Sequence, residues 1–222
     1  MSLNKFLFDA IVFAPPLLTA VILHEIAHGW AAEKLGDPTA RDQHRITLNP
    51  LVHIDPFMTI ILPVTLILAG SPFVFGGAKP VPVNPLNFRN PRRGMAYVAI
   101  AGPIMNFLLV AICLAIHQGL ISSGLAQAHR GVVVNLLLIW MRHSVLINLV
   151  LGLFNLLPVP PLDGGRIAVG FLPLSFARFW ARLEPYGLWI VILLMMSGVV
   201  RTILEPVLEF VAEHVLHVPV GP

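Results

Sequence analysis

An all-α polytopic membrane protein, with about four to five transmembrane helices, is the fold class the sequence predicts, and three observations predict it. Of 222 residues 57% are hydrophobic and 11% charged, with a mean hydropathy of +0.84; a soluble domain carries about 25% charged residues. Several uncharged runs approach the length that a bilayer core demands. No low-complexity tract, soluble appendage or internal repeat interrupts them, so 1–222 reads as a single membrane-embedded domain. The lone cysteine, Cys113, excludes an intrachain disulfide. The N-terminus, with Lys5 against Asp9, is a poor signal peptide.

From Ala10 to Ala32 the ionisable residues are His24, Glu25 and His28, and Pro15 and Pro16 are expected to kink or restart the helix. The helix proper is expected over 17–34, about 27 Å long, and LGDPTAR ends it. The polar loop RDQHRITLNPLVHID leads to an apolar run over 56–70, broken by Pro63. At about 22 Å as a helix this run is short for a span and reads as a re-entrant segment, with a fifth crossing as the alternative. Gly, Pro and Asn punctuate SPFVFGGAKPVPVNPLNFRNPRRG and forbid a long helix there. Further helices are expected from Met95 to His117, within GVVVNLLLIWMRHSVLINLVLGLFN, and from Tyr186 to Val200. Arg142 is expected to snorkel to the headgroups, and Trp140, Trp180 and Trp189 to anchor at the interface. The tail LEPVLEFVAEHVLH suits a helix lying on the membrane surface.

Basic residues set the expected orientation. Lys34, Arg41 and Arg45, then Lys79, Arg89, Arg92 and Arg93, then Arg166, Arg178 and Arg182 occupy three segments that belong together on the cytoplasmic side. That requires 56–70 to dip in and return, which gives four crossings with the N-terminus outside.

His24 and His28, four apart on a helix, project from one face, as a single tetrahedral Zn²⁺ accepts, and Glu25 beside them can reach a metal-bound water. A hydrolytic site needs a third ligand, and the candidates are Asp9, Glu33, Asp37, Asp42, His44, His53, Asp55, His143 and Asp163. Glu33 and Asp37 lie too near in sequence to fold back easily. Loop positions 44, 53 and 55 suit solvated or turn-forming side chains. Asp163 follows LLPVPP and precedes Gly164-Gly165, where backbone can approach closely; a plain N-cap is its other reading. The four-crossing topology brings it to the same side as HEIAH.

HEIAHGWAAEKLGD, RITLNPLVHIDP, GGAKPVPVNP, AGPIMNF and FNLLPVPPLDGGR together resemble the site-2 protease family of intramembrane zinc metalloproteases, in its small form without PDZ or CBS domains. The resemblance runs from about residue 20 to 166. It implies His24, His28 and Asp163 as ligands of one Zn²⁺ per chain and Glu25 as catalytic base. It implies Asn155 and Asn106 as substrate-positioning residues, a helical membrane core, and a strand-like segment at GGAKPVPVNP. That segment either pairs with an unwound peptide or is a Pro-stiffened loop. The stretch around 42–70 departs from the family's compact members.

The function so implied is hydrolysis of peptide bonds in or near transmembrane segments of membrane proteins, as in regulated intramembrane proteolysis. The expected partners are those substrates and the lipid bilayer, with no nucleic acid. The expected place is a prokaryotic cell membrane, multi-pass, with the active site towards the cytoplasm. A metal transporter would need several ligand sets along a path. A non-catalytic zinc protein would close its site with four ligands, and only three good ones are offered.

Overall fold

The computed structural model describes residues 3–71, 76–123 and 131–217, and among them it is helical, with no strand. The helices are α1 (Leu3–Lys34), α2 (Thr39–Asp42), α3 (Leu62–Leu68), α4 (Pro91–Ser122), α5 (Val132–Asn155), α6 (Asp163–Phe171), α7 (Leu174–Ala181), α8 (Gly187–Met196) and α9 (Val199–Phe210). Four stretches are long and apolar enough to cross a membrane: Ile11–Lys34, Pro91–Ser122, Val132–Asn155 and Leu174–Met196. The fourth begins earlier than expected. It joins α7 to α8, so Arg178 and Arg182 stand in its first half rather than in a loop ahead of it. α4 lies at the centre of the bundle, touching α1, α5 and α6.

α1 does not restart at Pro15 and Pro16. A proline leaves the carbonyl four residues earlier without its helical partner, and for Pro15 that carbonyl belongs to Ile11. Trp140 Nε1 donates to it at 2.9 Å, so this indole repairs a helix rather than only anchoring at the interface. α4 starts at Pro91, four residues before the expected start, because Asn90 accepts from Arg93 N at 3.1 Å and Pro91 fits the first turn. In α5, Arg142 does not simply snorkel: its Nε donates to Nε2 of the fully buried His117 at 3.1 Å. The tail also turns inward, and Leu216, 1% exposed, packs on Cys113 and Val145.

The 56–70 run forms a π turn, Pro56–Ile61, continued by α3; Asp55 caps it by accepting from Phe57 N and Met58 N. Six plus seven residues make about 20 Å of helix, short of a roughly 30 Å hydrocarbon core.

Residues 76–84 form neither helix nor strand, so the strand-like expectation is not met. Their backbone is tied to loop carbonyls and side chains: Gly77 N donates to Met58 O (3.1 Å), Thr59 Oγ1 to Gly77 O (2.7 Å), Lys79 N to His53 O (2.8 Å) and Arg45 NH2 to Lys79 O (2.8 Å). Pro80 and Pro82 offer no N–H to a ladder. The far end is stapled to α1 by Asp37. Its carboxylate is fully buried and accepts from Thr39, from Asn84 N at 2.7 Å and from Asn87 Nδ2 at 2.7 Å.

Candidate metal centre

Nε2 of His24 and Nε2 of His28 lie 3.0 Å apart, and Asp163 Oδ2 lies 3.2 and 3.3 Å from them. All three side chains are buried, at 6%, 9% and 6% exposure. His24 and His28 are one turn apart on the last three turns of α1. Asp163 opens α6 at the end of the Pro-rich bend, and its carboxylate makes no cap bond, which removes the N-cap reading.

The protonation of the two rings follows from what lies behind them. Asn148 Nδ2 donates to Ser144 O at 2.8 Å, and a backbone carbonyl only accepts. Asn148 Oδ1 therefore faces Asn106, whose Nδ2 donates to it at 2.8 Å and to Ala20 O at 3.3 Å. Asn106 Oδ1 is thereby turned on His24 Nδ1 at 2.6 Å, so that nitrogen carries the proton. His28 Nδ1 likewise donates to Val98 O at 2.8 Å. In its neutral form each ring then presents a bare Nε2 to the Asp163 carboxylate.

Three lone-pair donors thus face one another, and Asp163 Oδ2 is buried without a hydrogen-bond donor. Such a cluster is self-repelling unless a cation joins it. Its edges of 3.0–3.3 Å come within a few tenths of an ångström of the roughly 3.3–3.4 Å edges of a tetrahedron with the ligand bonds of about 2.0–2.1 Å that zinc takes. Hydrogen bonds to the far ring nitrogens are the usual support of metal-bound histidine. The residues fit zinc.

Close approach depends on glycine. A Cβ on Gly102 of α4 would stand 2.5 Å from both imidazoles, and one on Gly165 would stand 2.5 Å from Pro160 N. The small-residue turn at AGP is a seat for the two rings.

The donors open on a cavity of about 380 Å³ whose wall includes Glu25, Asn155 and Met58. Glu25 Oε2 accepts from Val81 N at 2.8 Å, so the 76–84 segment holds the carboxylate beside the ligands. Asn155 lies on the wall and donates its Nδ2 to Leu151 O at 3.0 Å. Asn106, expected beside a substrate, is 0% exposed and absent from the wall; its bonds place it behind His24 instead.

Six of the other ligand candidates do other work. Glu33 pairs with Arg41 at 2.9 Å, and so does Asp42 at 3.3 Å. His53 bonds Thr47 O, His143 bonds Ile139 O, and Asp37 and Asp55 are staple and cap. Among the described residues, His24, His28 and Asp163 form the one group of three metal-binding side chains. Asn148 was missed by sequence reasoning. It sits two turns before Asn155 in the otherwise apolar stretch 145–154, and a buried amide at that spacing is itself a signal.

Against known proteins, the profile of peptidase family M50 matches residues 119–198. The chain is 36% identical to "Putative zinc metalloprotease YwhC" of Bacillus subtilis (strain 168), over 93% of this chain and 92% of that one. It is 27% identical to "Putative zinc metalloprotease Rip2" of Mycolicibacterium smegmatis, over 81% of this chain and 64% of that one. It is also 27% identical to "Zinc metalloprotease MJ0392" of Methanocaldococcus jannaschii, over 74% of this chain and 35% of that one. No solved structure matches.

Proposed function

The chain belongs to peptidase family M50, the site-2 protease family, and is a membrane zinc metalloprotease; from that premise we propose that it cleaves peptide bonds in or beside the transmembrane segments of membrane proteins. The observation that carries this reading is the convergence of three buried lone-pair donors beside a tethered glutamate in one cavity.

In this proposal His24 Nε2, His28 Nε2 and Asp163 hold one Zn²⁺. When bound, the ion supplies a Lewis acid that polarises the scissile carbonyl and makes water a nucleophile near neutral pH. Glu25 takes a proton from the attacking water on its carboxylate and delivers it to the leaving nitrogen. Val81 N–H holds Oε2 meanwhile, so the base is oriented before substrate arrives. Asn155 keeps its Oδ1 and one N–H for a peptide backbone. Asn106 acts on the substrate only through His24.

A transmembrane substrate must unwind locally, since an intact helix hides its carbonyls. Several backbone groups of 77–81 already have partners, so strand addition to that segment engages the ones left over. We place the cavity towards the cytoplasm of a prokaryotic cell membrane, because the HEIAH end of α1 runs into Lys34, Arg41 and Arg45. Here 56–70 dips into the bilayer and returns, and regulated intramembrane proteolysis is the setting.

The test is the Glu25→Gln protein, purified in detergent. It should keep the wild-type zinc content and lose cleavage of a transmembrane peptide by about a thousandfold. Cleavage at the wild-type rate overturns the assignment.

A further inference from the structure

Beside the catalytic cavity lies a second, of about 460 Å³, and Met95, Pro161 and Arg166 line both. Arg166 stands three residues past Asp163 on the first turn of α6, so the two share a face of that helix. Among the described residues its guanidinium has one carboxylate within reach, Glu184 at 4.0 Å, and the side chains are 42% and 57% exposed. Arg92, the other cation lining the second cavity, already donates NH1 to Leu172 O at 3.2 Å. Nothing asked of Glu25 or of the three ligands uses Arg166.

The chemistry creates a need that Arg166 meets. Hydrolysis adds water's oxygen to the carbonyl carbon, breaks the C–N bond and sends the proton to the amine. A neutral amide becomes an amine and a carboxylate, and the latter is ionised at neutral pH. That new anion forms beside the carboxyl groups of Glu25 and Asp163. Arg166 is the one Arg or Lys side chain among the described residues lining the catalytic cavity.

We propose that the second cavity is a product site, which takes the newly formed C-terminal carboxylate of the upstream fragment, with Arg166 binding it in the doorway. This rests on the peptidase reading above. Glu184 is the resting partner that the carboxylate displaces: at 4.0 Å and half exposed, it holds the guanidinium loosely. A bidentate carboxylate takes its place with shorter, charge-assisted bonds. Pro85, Pro160 and Val169 supply an apolar wall for the last side chain of the fragment.

The test measures binding, independently of turnover. Two fluorescent peptides of one apolar sequence, ending in a carboxylate or a carboxamide, are titrated into zinc-loaded Glu25→Gln protein in detergent and followed by anisotropy. The carboxylate form should bind more tightly. Adding Arg166→Gln should shrink the acid-to-amide ratio about tenfold, with Arg166→Lys restoring part of it. Adding Glu184→Gln should instead widen the ratio, and it decides the matter alone if the Arg166 variant does not fold. An unchanged ratio in both variants overturns the proposal. So does an unchanged ratio with lost binding to phosphatidylglycerol nanodiscs, which assigns the site to lipid. Cleavage by wild-type protein is scored separately. If it is absent while the ratio behaves as stated, the peptidase reading falls and the carboxylate site stands.

Discussion

Replacing Asn148 by Leu should weaken zinc binding although this side chain touches neither ligand nor cavity. Leucine is near in size, so helix packing survives, but the acceptor for Asn106 Nδ2 at 2.8 Å is gone. In the wild type, flipping the Asn106 amide breaks two hydrogen bonds, to Asn148 Oδ1 and to Ala20 O, and in the variant only the 3.3 Å bond to Ala20. At about 1 kcal/mol per buried bond the lock drops from about 2 to about 1 kcal/mol. A flipped amide offers its NH₂ to His24 Nδ1 and drives the ring proton to Nε2, where it blocks a ligand position. The flipped amide then rises from about 3% to about 16% of the population, so zinc affinity should fall by less than about twofold in Asn148→Leu. In Asn106→Leu, which removes the acceptor outright, it should fall up to about a hundredfold. Competition against a chromophoric chelator in detergent measures both, with circular dichroism melts of the metal-free proteins to separate affinity from stability. Affinities unchanged in both variants, with melts unchanged, would refute the tautomer argument.

Three further outcomes follow from the same contacts. Gly102→Ala drives a methyl into both imidazoles; it should destabilise the bundle by about 1–3 kcal/mol and abolish stoichiometric zinc, read by metal analysis. Asp37→Ala strands the donors of Thr39, Asn84 and Asn87 and should cost about 2–4 kcal/mol in a thermal melt. Burial pushes the Asp37 carboxyl up, but its hydrogen bonds from Thr39, Asn84 and Asn87 outweigh burial and hold it below the usual carboxylate range. With a depressed folded pKa, its stabilisation is complete above the ordinary value and is lost as pH falls through the lower one. The wild-type Tm should thus drop below about pH 4 more steeply than that of Asp37→Asn.

The candidate site was legible because its residues contradict their surroundings: two imidazoles and a carboxylate in an apolar run have few structural uses. Asp163 was legible only with topology added, since Asp before Gly-Gly also suits a cap. Pro15 and Pro16 misled, because propensity describes an isolated helix and the indole that rescues the Ile11 carbonyl arrives from residue 140. The same blindness to distant partners hid Asn148 and turned Arg142 into a snorkelling residue when His117 was its acceptor. The prolines of GGAKPVPVNP rule out a helix, but whether such a segment joins a sheet depends on its neighbours, and here they are backbone carbonyls of Met58 and His53 and the side chains of Glu25, Asp37, Arg45 and Thr59. The fourth span was misplaced because Arg178 and Arg182 count as loop residues by charge, whereas Arg178 lies on α7 and Arg182 follows one turn later at its C-terminal end.

Lipid gives apolar helices little reason to associate, so buried polar bonds must supply much of the specificity between α1, α4 and α5. The series from Ser144 through Asn148 and Asn106 to His24 does so, with 2.6–2.8 Å contacts across three helices. If bridging were its only task, the amides could run in either direction. They cannot, because the series begins at a carbonyl that only accepts, and every later donor and acceptor is fixed in turn. Its last link therefore delivers an acceptor to His24 Nδ1. His28 receives the same instruction from the Val98 carbonyl, which no side-chain substitution removes. The two ligands thus differ in vulnerability: one tautomer is written into helix backbone, and the other depends on two asparagines that mutation can erase.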